Sequence, residues 1–334
     1  MANYPQIDDC QGVWKLKEVN NAVMGGYWRQ GGSRAVFGGG YTSDATYTNV
    51  LDFITIASTG DATDFGDLGQ VKSQETGTAA SLTRGFYMTN SDGSAVVNRI
   101  DVITIMTAGN SADFGDTSTA VANASSLSNS IRGVKGGGAT VNTIDFITMS
   151  TYGNAADFGD LTVARQRTNA AASPTRGLYG GGLTPTKQNV IDFITIMSTG
   201  NAADFGDLVA AAYSPSSFSS STRYVSNSGS AASGLLSSIE FATIASQGNC
   251  VDYGDLSAVR SANAGTSNSV RGISAGGRQD PSVINVIEFI NINSGGNMID
   301  FGDRTVSVRY CSGCSNAHGG LNDGFQGTKG ADTA

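Results

Sequence analysis

Six short runs along the chain gather β-branched and aromatic residues. They are "LDFITIAS" from Leu51, "IDVITIMT" from Ile100, "IDFITMST" from Ile144, "IDFITIMS" from Ile191, "IEFATIAS" from Ile239 and "IEFININ" from Ile287. Runs of this length and make-up predict buried central strands. Each leads through a polar turn into a second phrase, of which "STGNAADFGDL" from Ser198 is typical, and that phrase predicts a turn followed by a strand. Upstream of each run stands an Arg-Gly element with a glycine patch: "SRAVFGGG", "TRGFYMTN", "IRGVKGGG", "TRGLYGGG", "TRYVSNSG" and "VRGISAGG". Polar stretches rich in Ser, Thr and Asn connect one unit to the next.

The glycines of the second phrase are Gly66, Gly115, Gly159, Gly206, Gly254 and Gly302, at intervals of 49, 44, 47, 48 and 48 residues. A strand-rich unit of that period matches one four-stranded propeller blade. The expected fold is therefore all-β, a six-bladed propeller over residues 31–310. It is preceded by a leader over 1–30 and followed by a closing segment and polar tail over 311–334. A solenoid is the weaker alternative, because flat glycine-rich strands expose edges unless the array closes on itself.

The Arg-Gly elements alternating with "IDFITIMSTGNAADFGDL" resemble the Kelch-like propeller proteins encoded by tailed bacteriophages, marine and cyanobacterial ones in particular. The resemblance covers about Gly31 to Tyr310, and "GVWKLKEVNNAVMGGYW" from Gly12 is similar to the leader of such virion proteins. It implies a non-enzymatic structural or adhesive virion component, most readily part of the tail (fibre, baseplate or nozzle region). The implied partners are other virion proteins, with a host-surface glycan as a further candidate. The implied setting is many copies in a symmetric assembly, each chain folded in the host cytoplasm. A capsid-exterior decoration protein and a carbohydrate-binding propeller are the alternatives.

Internal repetition separates folding residues from functional ones: what every blade carries serves every blade. Arg34, Arg84, Arg132, Arg176, Arg223 and Arg271 recur, as do Asp67, Asp116, Asp160, Asp207, Asp255 and Asp303. Such matched sets read as charge-assisted hydrogen bonds between neighbouring strands or blades. Planar Arg suits either a carboxylate or successive backbone carbonyls. The earlier acids Asp64, Asp113, Asp157, Asp204, Asp252 and Asp300, each with an Asn or Asp three residues upstream, have two readings. One is a Ca²⁺ site built on oxygen ligands; the other is a turn cap bonded to nearby backbone N–H groups.

Composition narrows the function. The net charge of −8 argues against a nucleic-acid partner, and no apolar run is long enough to span a membrane. The start "MANYPQIDDC" has neither a basic nor an apolar signal region, so no secretory signal is expected. The single histidine, His318, stands without a Ser or Cys partner outside the repeats, so neither catalysis nor a catalytic cofactor is expected. Cys311, Cys314 and His318 tempt as a metal cluster, but the spacing matches no standard zinc site.

The unrepeated residues remain. Trp14 and Trp28 occur only in the leader, where Leu16, Val19 and Val23 fall at helical spacing. That pattern predicts a short amphipathic helix that either docks on another chain or packs under the ring. The unequal loops after the glycine patches are the other candidates, with Tyr41 and Tyr47 as residues for binding a partner.

Overall fold

The computed structural model describes residues 33–42, 46–72, 77–91, 93–139 and 141–321. The leader with Trp14, Leu16, Val19, Val23 and Trp28 and the tail beyond Leu321 lie outside the described residues. Every regular element described is a β-strand, and six antiparallel sheets form a closed six-bladed β-propeller.

Blade 4 shows the plan. Its inner strand Asn169–Ala172 pairs with Arg176–Gly180, which pairs with Val190–Thr195, which pairs with the outer strand Ala203–Asp207. The outer pairing slips by one residue between Ile191 and Asp192, and the same shift recurs at this point in all six blades. Phe205 is the extra residue on the outer strand. The bulge turns its ring inward, where it meets Phe193 edge-on with centroids 6.1 Å apart. Gly206 completes the bulge at φ 148°, a conformation that an L side chain rarely adopts. The sequence phrase "DFG" is thus a bulge with an aromatic anchor.

The inner strands Gly77–Ala80, Ser125–Ser128, Asn169–Ala172, Ser216–Ser219, Ala264–Ser267 and Ser312–Ser315 stand side by side around the axis. They read as polar stretches in the sequence because small residues predominate where six backbones converge, with Leu127 and Phe218 packed instead into the cores between blades. A Cβ on Gly265, for instance, would meet the Ser217 carbonyl oxygen at 2.2 Å. Hydrophobic clusters fill the gaps between blades; one joins Val36, Leu51 and Phe65 of blade 1 to Tyr87 and Ile103 of blade 2. The blades are therefore glued face to face by apolar burial.

Ring closure comes from the C-terminal side. Ser312–Ser315 pairs with Arg34–Gly38 and supplies the inner strand of blade 1, so the first and last repeats share one sheet. The chain then crosses the end of the channel. His318 Nε2 lies 3.0 Å from the Ala80 carbonyl in blade 2, and Gly320 passes the Ser128 carbonyl of blade 3 too closely for any side chain. Truncation after Tyr310 removes this strand and leaves the inner edge of Arg34–Gly38 unpaired. The truncated chain is expected to melt lower by about 5–10 °C, since a whole edge strand is lost and each kcal/mol is worth roughly 1–2 °C in a chain of this length. An unchanged melting curve by calorimetry would mean that the ring closes in another way.

Candidate functional site

Most of the repeated chemistry is consumed in joining blades. Each repeated Arg donates to backbone carbonyls of the next blade. Arg34 reaches Ile105 O at 3.1 Å, Arg84 reaches Met149 O at 3.2 Å and Arg132 reaches Ile196 O at 3.1 Å. Arg176 spans Ile244 O and Ala245 O, Arg223 spans Ile292 O and Asn293 O, and Arg271 returns to Ile56 O and Ala57 O of blade 1. Five of these guanidiniums also lie over the aromatic ring of their own blade's third strand; Arg34 sits 4.1 Å from the Phe53 centroid. In blade 2, Val102 stands at that position, and Tyr152 from the next blade supplies the ring for Arg84 at 5.3 Å.

The repeated aspartates are held by a different contact. The backbone N–H groups of Asp67, Asp116, Asp160, Asp207 and Asp255 donate to side-chain oxygens of Asn110, Asn154, Asn201, Asn249 and Asn297 in the following blade, at 3.0–3.1 Å. Asp303 closes the series on Asp61 at 3.0 Å. No ion pair among the described residues joins a repeated Arg to a repeated Asp. The glycines of the two half-phrases also touch: a Cβ on Gly206 would lie 2.4 Å from the Gly248 carbonyl oxygen. So "GNA" of one blade grips "DFGD" of the blade before it. The oxygen that the calcium reading assigns to a cation accepts that N–H, while Asp64, Asp113, Asp157, Asp204, Asp252 and Asp300 face solvent. Among the described residues no cluster has the make-up of a metal site.

A second set of acids escaped the sequence reading as ionic partners. Asp52, Asp101, Asp145, Asp192, Glu240 and Glu288, the acids inside the apolar runs, are all buried. Four bind a cation that arrives from the preceding linker or outer strand: Lys72 for Asp101 (2.8 Å), Arg165 for Asp192 (3.1 Å), Arg260 for Glu288 (2.5 Å) and Arg304 for Asp52 (3.1 Å). Asp145 instead uses Lys135, directly opposite in register on its own blade, at 2.9 Å. Glu240 has no cation among the described residues. Ala212 stands where Lys72, Arg165 and Arg260 stand in other linkers, and Glu240 accepts only the Val209 N–H, at 2.6 Å. Burial raises its pKa from 4.5 to about 7.

Cys311, Cys314 and His318 do not assemble. Cys311 packs into the core between blades 6 and 1, Cys314 into that between blades 1 and 2, and burial pushes both thiols up, Cys314 to about 12. His318 Nδ1 accepts the Gly320 N–H at 3.1 Å, so its proton sits on Nε2, toward Ala80 O; burial holds its pKa below the ordinary value. The channel holds cavities of about 60 and 80 Å³ lined by Ser, Thr, Ala and Gly of the inner strands, room for a few waters at most.

The unrepeated chemistry gathers at the other end of the channel, on the face formed by the linkers. Two residues before the inner strands, Asn123, Arg167, Ser214, Ala262 and Tyr310 all have φ between 53° and 58°. The last four each donate their N–H to the carbonyl of the previous member: Arg167 to Asn123, Ser214 to Arg167, Ala262 to Ser214 and Tyr310 to Ala262, at 2.8–3.1 Å. This hydrogen-bonded rim fixes five equivalent positions but leaves their side chains free to differ. Arg167 and Tyr310 belong to linkers three blades apart, yet the guanidinium carbon lies 5.2 Å from the Tyr310 ring centre, spanning the mouth. It also lies 5.7 Å from the Tyr213 ring, and Lys187 Nζ covers Tyr213 at 5.2 Å. Arg309 sits over Tyr310 at 5.3 Å and Tyr41 at 4.8 Å, and Tyr41 meets Tyr47 at 5.2 Å.

The candidate loop residues Tyr41 and Tyr47 are thereby brought into one row of alternating rings and cations. Tyr213, Tyr310, Arg167, Arg309 and Lys187 were missed in the sequence. The available signal was a position that changes identity (Asn, Arg, Ser, Ala, Tyr) inside otherwise repeating linkers.

No protein-family model matches the chain, and no curated protein is detectably similar to it. Its class is a closed six-bladed β-propeller, and among the described residues its linker-face mouth gathers Arg167, Arg309 and Lys187 beside four tyrosines.

The unpaired Glu240 yields a pH signature. The folded protein keeps its proton up to about pH 7, whereas the unfolded chain releases it near 4.5. Its contribution is therefore most favourable below pH 4.5 and is lost as pH rises through 7. Glu240→Gln is expected to match the wild type near pH 4.5 and to exceed it at pH 8 by on the order of 3 kcal/mol. Urea unfolding at the two pH values checks this; an equal difference at both would refute it.

Proposed function

We propose that the chain is a non-enzymatic binding propeller serving as a structural or adhesive part of a bacteriophage particle. Its terminal segments attach it, and its linker face meets a neighbouring subunit or the host surface. The observation that carries this reading is the division of labour between the two ends of the ring. The described chain enters at Ser33, whose hydroxyl accepts from Asn268 Nδ2 at 3.0 Å in the turn between the first two strands of blade 6. It leaves at Leu321, beyond His318 at the same end of the channel. The first and last described residues thus lie on the turn face, while the unrepeated cluster of rings and cations opens on the opposite face.

The resemblance of the repeated phrases to Kelch-like phage propellers supports a virion location and favours the tail over the capsid exterior. A carbohydrate-binding propeller is the second reading, favoured by the placement of Tyr41 and Tyr47 at the mouth. In either case the proposed role is binding without turnover, in keeping with a single histidine, His318, whose ring nitrogens face Ala80 O and Gly320 N.

Removal of residues 1–28 tests the anchoring role. The shortened chain is expected to melt within a few degrees of the full one and to be missing from purified particles made by a phage that carries it. Loss of folding would make the leader a structural part of the ring, and normal incorporation would place the anchor elsewhere.

A further inference from the structure

The row of rings and cations at the channel mouth has the chemistry of a specific receptor. Arg167, Arg309 and Lys187 form no ion pair with any described residue, and the nearby Arg278 is bonded to Asp280. The Nε atoms of Arg167 and Arg309 are buried without a hydrogen-bond partner among the described residues. With Nε shut off from water and unpaired, each half-buried guanidinium depends on its remaining N–H groups to balance its charge, and an anion at the mouth does that. The tyrosine rings hold both guanidiniums from the side, which removes rotamer freedom before any ligand arrives. A planar guanidinium fixed in this way matches a carboxylate through two parallel hydrogen bonds.

The rest of the mouth narrows the class. Tyr41, Tyr213 and Tyr310 are half-buried, and Tyr47 is 40% exposed, so apolar ring surface and hydroxyl groups border the cations. Such amphipathic borders suit a ligand with both C–H faces and hydroxyls. The cavities inside the channel are too small to admit a sugar ring, so the ligand lies across the mouth. A long polyphosphate strand needs a basic track, and a chain of net charge −8 with cations gathered at one mouth does not offer one.

We propose that this mouth is a binding site for an acidic saccharide, with the uronate-type carboxylate held by Arg167 and Arg309 and the sugar ring bordered by Tyr41, Tyr47 and Tyr310. The site deepens the reading of the linker face as the binding face and rests on it. It assigns a ligand-contacting role to linker residues Arg167, Arg309 and Tyr310, which no repeat pattern singles out.

The test is calorimetric titration of the full chain with tetragalacturonate at low salt, beside its methyl ester and an oligodeoxynucleotide of equal charge. Tetragalacturonate is expected to bind with a submillimolar Kd, the ester at least tenfold more weakly, and the oligonucleotide more weakly than the acid sugar. Arg167→Gln and Arg309→Gln are each expected to weaken binding about tenfold while melting within a few degrees of the wild type. If Arg167→Gln fails to fold, the Arg309→Gln variant and the acid-against-ester comparison still decide. Absence of binding at millimolar sugar, equal binding of acid and ester, or unaffected variants would overturn the site. An oligonucleotide that binds as tightly as the sugar would also overturn it, reducing the mouth to a general anion patch. A chain that binds the uronide but enters no particle leaves the site intact and removes the virion reading; the opposite pair of results does the reverse.

Discussion

The contact between one blade's "GNA" turn and the previous blade's "DFGD" strand sets the geometry of the whole ring. Two glycine backbones meet there without side chains between them, and an Asn or Asp oxygen takes an N–H that the bulged strand leaves unpaired. Alongside it, the Arg of the second strand bridges to carbonyls at the end of the next blade's third strand. These bonds repeat around the ring and fix the angle between blades, whereas apolar burial between sheets supplies cohesion with little direction. Variation in repeat length therefore falls in the hairpins and linkers. Blade 6 extends its third strand over Ser282–Asn291, where blade 3 has only Thr143–Thr148.

Buried ionic pairs follow the same logic and show how a repeat tolerates drift. An acid in the central strand would be costly alone, and in four blades the preceding linker or outer strand brings a cation to it. Where the linker position is Val121, the opposing Lys135 serves; where it is Val308, Arg304 serves from an earlier position. The linker into blade 5 carries Ala212 with no substitute, and Glu240 keeps its proton to about pH 7 instead. The neutral acid is the simplest physical answer to a missing cation.

Closure by the C-terminal strand and the route of the last described residues give the ring two unlike ends. The turn end carries the first and last described residues and the neutral His318 lying across the channel. The linker end carries the hydrogen-bonded rim, on which variable side chains project from a backbone that does not vary. A surface with invariant backbone and changeable side chains is well suited to recognition, because side chains change there without disturbing the fold.

The strands, the sixfold period and the separation of repeated from unrepeated residues were legible in the sequence, because alternation and spacing are local properties of the chain. "IDFIT" predicts a central strand wherever it occurs, and six copies at nearly constant intervals predict six blades. The partners of the repeated groups were not legible. Arg176 and Ile244 are 68 residues apart, and whether Arg binds a carboxylate or a carbonyl depends on the angle at which two sheets meet. The inner strands were hidden because Ser, Ala and Gly there answer to crowding at the axis, not to burial of apolar surface. The mouth was hidden for the deepest reason: Arg167 and Tyr310 lie on opposite sides of a ring, and only closure of that ring brings them within 5.2 Å.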